Sequence, residues 1–336
     1  MEDKKKTHSS TRWGILLFVV LILVAGSLYL WNGNIFGSRL PKFNSNAIIT
    51  FTPFIPADAA ANATEKPALS ASPTPAPDVQ AVCGQKQPMF ILLLGIDLNE
   101  QADVIRLARV DFAEGRIFLL SIPRDFYVPV PDLQAHDITE GKINATYGYG
   151  EYFFGQGQGV VEFSKTIYAN YGITFDRYMV FHEADFSKLI DMVGGVDVVL
   201  DSPIGGYDFS GTHHYDGAAA LDFAMVRDAD NDDYRIDRQS VIIQALYQKM
   251  TQPENLLKLP ALGLRILQEK MILTDLSLRD ISTFSCLSKN LQSDSLVLKD
   301  IPGEFFKASM LNGQYVRIPL PQATTYIQDL VLNGNY

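Results

Sequence analysis

The chain has 336 residues, 47% of them hydrophobic, and a formal net charge of −10. That length and composition can bury a substantial core, in one large domain or two medium ones. The acidic balance excludes a general nucleic-acid binder, which needs a basic surface, and it makes any clustered arginines informative.

In chain order, the first element is an apolar run. Residues 13–31, WGILLFVVLILVAGSLYLW, carry no charge and are long enough to cross a bilayer. Lys4, Lys5, Lys6 and Arg12 precede them. This predicts a cytoplasmic segment 1–12, a retained transmembrane anchor 13–31, and an extracytoplasmic remainder at the cell membrane. A cleaved signal peptide fits less well, because the run is long and no small-residue cleavage site follows. Residues 32–82 are rich in Ala, Pro, Thr and Ser and read as a spacer.

From residue 83 strand and helix signals alternate. MFILLLGID (89–97) reads as a buried strand, 104–110 as a second and 117–122 as a third. A helix begins near Gly159, with Val160, Phe163, Ile167 and Tyr171 on one face. RYMVF (177–181) is a strand, 184–196 a helix closed by Gly194 and Gly195, and VDVVL (196–200) a strand again. RQSVIIQALYQKM (238–250) is amphipathic, and the helix after Ser277 offers Leu278, Ile281, Phe284 and Leu291 as a buried stripe. Such alternation predicts one α/β domain, an α-β-α sandwich around a central mixed sheet, over 83–336. Residues 251–336 are expected to be a helical extension.

Three strand-end features carry charge: Asp97 with Asp103, Arg124 with Asp125 after Pro123, and Arg227, Arg235 and Arg238 in VRDADNDDYRIDRQ. Pro123 ends a hydrogen-bonding ladder, so Arg124 is expected at a strand tip, with Asp125 orienting its guanidinium. Arginine forks match phosphate oxygens, and neighbouring carboxylates can hold a Mg²⁺ that the phosphate completes. Taken alone, the same residues also fit ordinary surface ion pairs. His213 and His214 are adjacent and ill-placed to share a metal, so a loop role is expected. GYGEYFFGQGQG (148–159) lacks the Lys and Ser/Thr of a P-loop and reads as a flexible lip. Phe153, Phe154, Phe163 and Tyr168 suit an ordinary core as well as a tunnel lining. Cys83 and Cys286 form a single possible pair, and an extracytoplasmic compartment favours a disulfide between them.

LLLGID, LLSIPRDFYV, KINATYGYG, DMVGGVDVVL, DGAAALDFAMVR and DYRIDRQSVIIQAL occur in the order and spacing of the LytR-CpsA-Psr family, which the chain resembles over about 89–250. That resemblance implies a membrane-anchored phosphotransferase. It would move a glycopolymer from a polyprenyl-pyrophosphate carrier, its lipid in an apolar tunnel, to a sugar hydroxyl of peptidoglycan. Carried over by position, Asp97 and Asp103 would hold Mg²⁺ (or Mn²⁺). Arg124, Arg227, Arg235 and Arg238 would hold the pyrophosphate, with Arg124, Asp103 and Arg238 at the reacting centre. The implied partners are the lipid-linked glycan, peptidoglycan and the membrane, with no nucleic acid. Two positions depart from the family: Gln101 and Met225 stand where it commonly carries Arg. Arg106 and Arg109 are candidates to compensate, but alternation along a strand puts them on opposite faces. A non-catalytic lipid-binding or wall-binding protein and a lipid pyrophosphatase are the alternatives.

Overall fold

A computed structural model describes Leu40 and residues 82–200, 204, 210–226 and 232–336. The expected anchor 13–31, nearly all of the spacer, and Arg227 lie outside the described residues. Among the described residues, no helix is long and apolar enough to cross a membrane.

Met89–Ile96 (β1), Ala102–Asp111 (β2) and Arg116–Ser121 (β3) form an antiparallel meander. A small hairpin follows, Tyr127–Pro129 (β4) with Glu140–Lys142 (β5), then helices Thr146–Phe154 (α1) and Gly159–Tyr171 (α2). Arg177–His182 (β6) returns beside β1 and parallel to it. Next come Glu183–Met192 (α3), the hairpin Val196–Leu200 (β7) with Gly211–Tyr215 (β8), Gly217–Met225 (α4) and Asp232–Thr251 (α5). The remainder supplies Pro253–Leu256 (α6), Leu259–Gln268 (α7), Ile272–Thr274 (β9), Leu278–Leu287 (α8), Leu296–Lys299 (β10), Phe306–Leu311 (β11), Gln314–Pro319 (β12) and Pro321–Gln328 (α9).

The central sheet is mixed, in the order β10-β3-β2-β1-β6-β9. Strand alternation splits its side chains between two cores. On one face Leu92, Leu94, Ile105, Leu107 and Phe118 meet Val160, Phe163, Ile167 and Tyr171 of α2. On the other, Met89, Ile91, Ala108 and Val110 meet Leu287 of α8 and Ile243 and Tyr247 of α5. Helices therefore cover both faces of the sheet.

Two expectations need correction. The stretch 251–336 is not simply helical: β9 and β10 form the two edges of the central sheet, and β11 pairs with β12 as a hairpin. These strands span three to six residues, too short for their periodicity to stand out. Strand β7 pairs with β8 away from the central sheet. In α8, Leu278 is 58% exposed while Asp280 is buried. Asp280 and Ser277 form a reciprocal capping box, and Arg177 Nε donates to Asp280 Oδ2 at 2.8 Å. Burial opposes ionisation of Asp280, but the Arg177 and Ser277 bonds outweigh it and hold the carboxyl below its usual range. The cap, rather than the apolar stripe, sets which side of the helix faces inward. Cys83 and Cys286 are bonded, as compartment suggested.

Helices α3, α4 and α5 gather with β7 around a separate small core of Ile190, Val198, Phe223, Ile242 and Ala245. A Cβ on Gly217 would lie 2.0 Å from the carbonyl oxygen of Ser187, so only glycine lets α4 start this close to α3. The space between this small core and the sheet is a cavity of about 280 Å³.

Candidate active site

The cavity is walled by Leu93 and Leu94 of β1, Met179 and Phe181 of β6, Phe186 and Leu189 of α3, and Ile242, Ile243 and Leu246 of α5. Its polar lining comes from Asp103, Arg106, His182, Glu183 and Gln239. None of Phe153, Phe154, Phe163 or Tyr168 lines it; Phe163 belongs to the core on the opposite face of the sheet.

Asp103 owes its place to a β-bulge. Gly95 pairs with Val104, but Ile96 pairs with Ala102, which leaves Asp103 without a strand partner. Simple alternation would put Asp103 and Arg106 on opposite faces; the bulge turns both toward the cavity. A Cβ at Gly95 would come within 2.9 Å of Val104 Cβ, so glycine permits the close pairing there. Asp103 is 5% exposed. Its Oδ1 accepts from Arg124 Nη1 at 2.6 Å, and its Oδ2 from Arg235 Nη1 at 3.1 Å.

Arg124 sits in a turn. Ile122 still donates to Ile105 of β2 at 3.0 Å, Pro123 ends the ladder, and Phe126 N–H returns to the Pro123 carbonyl at 3.1 Å. The backbones of Arg124 and Phe126 are fastened to Asn144 and Ile143 at 3.2 and 2.7 Å. Asp125 Oδ2 pairs with Arg124 Nε at 3.9 Å, and its Oδ1 takes a shorter bond from Lys142 Nζ at 2.7 Å. Lys142 went unremarked in the sequence, because β5 is three residues long and its pairing to β4 is a tertiary fact.

Arg235 and Arg238 rise from the first turns of α5 and are 2% and 0% exposed. Arg238 Nη2 donates to the Val226 carbonyl, tying α5 to the end of α4. The C-terminal hairpin braces the same corner. Arg317 N–H donates to the Asp125 carbonyl at 2.8 Å, and its Nη1 to Asp233 of α5 at 2.6 Å.

The departing positions have other work. Gln101 Oε1 accepts from Asn144 Nδ2 at 2.9 Å, and Met225 lines the cavity. Arg109 points to the far face, donating to the carbonyls of Val331 and Leu332 at 3.2 and 2.6 Å. Arg106 faces the cavity. Asp97 caps its own loop, its Oδ1 accepting from the N–H groups of Asn99 and Gln101, both at 2.8 Å. Among the described residues, no three His, Cys, Asp or Glu side chains are grouped to hold a metal ion. Of the two carboxylates expected to hold Mg²⁺, Asp97 is engaged by its own loop and Asp103 by Arg124 and Arg235.

His213 and His214 lie on β8 rather than in a loop. His214 Nδ1 is 2.7 Å from Oδ1 of Asp197, its partner across the hairpin. The expected flexible lip is mostly the helix α1. Its glycines serve close packing: a Cβ on Gly148 would sit 2.9 Å from the Glu100 carbonyl, and one on Gly150 2.6 Å from that of Gln158.

The polyisoprenyl-teichoic acid–peptidoglycan teichoic acid transferase TagU of Oceanobacillus iheyensis is 27% identical over 257 residues, covering 72% of this chain and 71% of that protein. The crystal structure of B. subtilis TagV superposes with a TM-score of 0.61 at 24% identity, over 74% of this chain and 97% of that one. The family protein YwtF (TagT) with bound octaprenyl pyrophosphate lipid superposes with a TM-score of 0.55 at 22% identity, over 76% of this chain and 92% of that one. These two likenesses establish a shared fold. The model of the LytR_cpsA_psr family matches residues 53–329, taking in the C-terminal strands that brace Asp125 and α5. The chain belongs to the LytR_cpsA_psr family.

Proposed function

We propose that the protein is a membrane-anchored phosphotransferase that moves a glycopolymer from a polyprenyl-pyrophosphate carrier to a sugar hydroxyl of peptidoglycan, outside the cytoplasmic membrane. One observation carries the reading. Asp103, gripped by Arg124 and Arg235, lines a largely apolar cavity. Lipid and diphosphate make the same demand on a site, an apolar sleeve with fixed cations at one end. The relative named TagU is a teichoic acid transferase, and YwtF (TagT) holds octaprenyl pyrophosphate on the same fold. The charge-free run 13–31 and the Cys83–Cys286 bond support the extracytoplasmic placement.

In this reading the first isoprene units lie between β1, β6 and α5, and the diphosphate meets Arg124, Arg235, Arg238 and Arg227. Asp103 fixes the first two guanidinium groups before the ligand arrives, so little reorganisation is needed in the transition state. The acceptor's hydroxyl oxygen attacks the phosphorus that bears the glycan. A new P–O bond forms as the bond to the bridging oxygen breaks; polyprenyl phosphate leaves with that electron pair, and the hydroxyl proton is released. Phosphoryl transfer of this kind depends on positioning and charge neutralisation. Asp97 and Asp103, with phosphate oxygens, would hold Mg²⁺ or Mn²⁺, which supplies further neutralisation at the transferred group.

The test is substitution of Arg124 in the full-length protein, assayed for release of polyprenyl phosphate. Arg124→Ala is expected to abolish turnover while the thermal melt stays cooperative. Arg124→Lys keeps the charge without the fork and should be partly active. Wild-type turnover in Arg124→Ala would remove this residue from the site.

A further inference from the structure

Arg106 is the buried charge that the transfer chemistry leaves unassigned. It lies in the middle of β2, is 2% exposed, and lines the cavity together with Asp103. Its hydrogen bonds are long: Nη2 to Ser240 Oγ at 3.2 Å and to the Ile236 carbonyl at 3.4 Å, and Nη1 to Asp300 Oδ1 at 3.5 Å. Its Nε–H has no hydrogen-bond partner. Charge-assisted pairs ordinarily close to about 2.7–2.9 Å. Asp300 is itself 44% exposed and also accepts from the Ser121 hydroxyl, so it is a divided counter-ion. An arginine whose whole purpose was to clamp α5 to the sheet would show short, saturated bonds. Asp300 at 3.5 Å and nearby Asp237 offset its charge, but neither closes to a short charge-assisted bond, so a cation buried this completely is held loosely.

Its position says which anion. Ile236 and Ser240 directly follow Arg235 and Gln239 on α5, so the guanidinium lies under the helix turns that hold the Asp103–Arg235 pair. Met225 shares the cavity without a charge, and the Oε1 of Gln101 is engaged by Asn144. We propose that Arg106 is an anion-binding residue of this site, giving its guanidinium to a phosphate oxygen of the lipid pyrophosphate where Gln101 and Met225 offer no cation. The proposal rests on the lipid-pyrophosphate reading above. Charge enters here from the floor of the sheet rather than from the end of α4.

The test measures affinity of the full-length protein in detergent for geranylgeranyl pyrophosphate and for geranylgeraniol, the same chain without phosphate. Wild-type preference for the pyrophosphate, and its loss in Arg124→Ala, tests the site reading by itself. Arg106→Gln keeps a polar hydrogen-bonding side chain but removes the charge. It should weaken pyrophosphate binding about 10- to 100-fold, as loss of one charge-assisted bond does, with alcohol binding unchanged. Adding Met225→Arg to that variant should restore most of the loss. Equal losses for both ligands, or a pyrophosphate affinity within about twofold of wild type, would overturn the proposal while leaving the site reading intact. Should Arg106→Gln fail to melt cooperatively, Arg106→Lys decides. It should lower the pyrophosphate-to-alcohol affinity ratio, and an unchanged ratio overturns the assignment.

Discussion

Removing the Cys83–Cys286 bond tests how this domain is held together. The two cysteines are 203 residues apart, one just before β1 and one on α8. Replacing both with serine leaves α8 its own anchors. The Ser277–Asp280 capping box remains, as does the Arg177–Asp280 pair at 2.8 Å, and Leu287 stays in the core. The folded state therefore keeps its local contacts, and the main change is the freedom returned to the unfolded chain. In the chain-entropy model a loop of that length is worth about 5 kcal/mol. For a domain of this size that converts to a melting shift of about 10–20 °C. The assay is thermal and urea unfolding of the double variant against the oxidised wild type, with no reductant present. A loss below about 1 kcal/mol would refute the loop-closure argument. Two freely alkylated thiols in the denatured wild-type protein would refute the bond itself.

Glu162 predicts a pH effect. Its side chain is fully buried on α2, neither carboxylate oxygen has a hydrogen-bond partner, and Lys165 Nζ is 3.8 Å away. Burial first, and Asp132 second, push its pKa up from 4.5 to about 7. The folded state holds that proton more tightly than the unfolded one, so the residue costs stability increasingly from pH 4.5 to 7, reaching about 3 kcal/mol above that window. Glu162→Gln should accordingly raise the melting temperature at pH 8 and barely change it near pH 4; a pH-independent difference contradicts this. Gly217→Ala should cost about 1–3 kcal/mol or more, because its Cβ would lie 2.0 Å from the Ser187 carbonyl oxygen. Since α3 and α4 wall the cavity, the same variant should also bind geranylgeranyl pyrophosphate more weakly, and an unchanged melt and affinity together would contradict the packing argument.

Much of the scaffold was legible because it follows from periodicity. The apolar run of β1, the stripe Val160, Phe163, Ile167 and Tyr171, and the Ser277 cap all lie where local chemistry puts them. The charged residues singled out around Asp103 were legible only as types in a spacing that resembles a family. Their geometry was not, because it depends on register. A single bulge at Gly95 and Ile96 decides which face Asp103 takes, and its local sign, a glycine inside a strand, does not say which way the side chains turn. Lys142 pairs with Asp125 across a tertiary contact, so no local pattern shows that Asp125 has a second cation besides its chain neighbour Arg124. The glycines of α1 resembled a flexible lip for a similar reason. What they provide is room for Glu100 and Gln158, which only the packed structure reveals. The C-terminal strands were missed because edge strands of three and four residues carry too little pattern to register.

The most direct test of the transferase account is to incubate the full-length protein with a polyprenyl-pyrophosphate-linked glycan and Mg²⁺, with and without peptidoglycan acceptor. Both polyprenyl phosphate release and glycan attached to the acceptor are followed. The account predicts release only when acceptor is present, matched by attached glycan, and neither in Arg124→Ala. Equal release without acceptor would mean that water is the nucleophile and the protein a pyrophosphatase. Tight binding with no release under either condition would mean a carrier-binding protein, and the transferase account would fail.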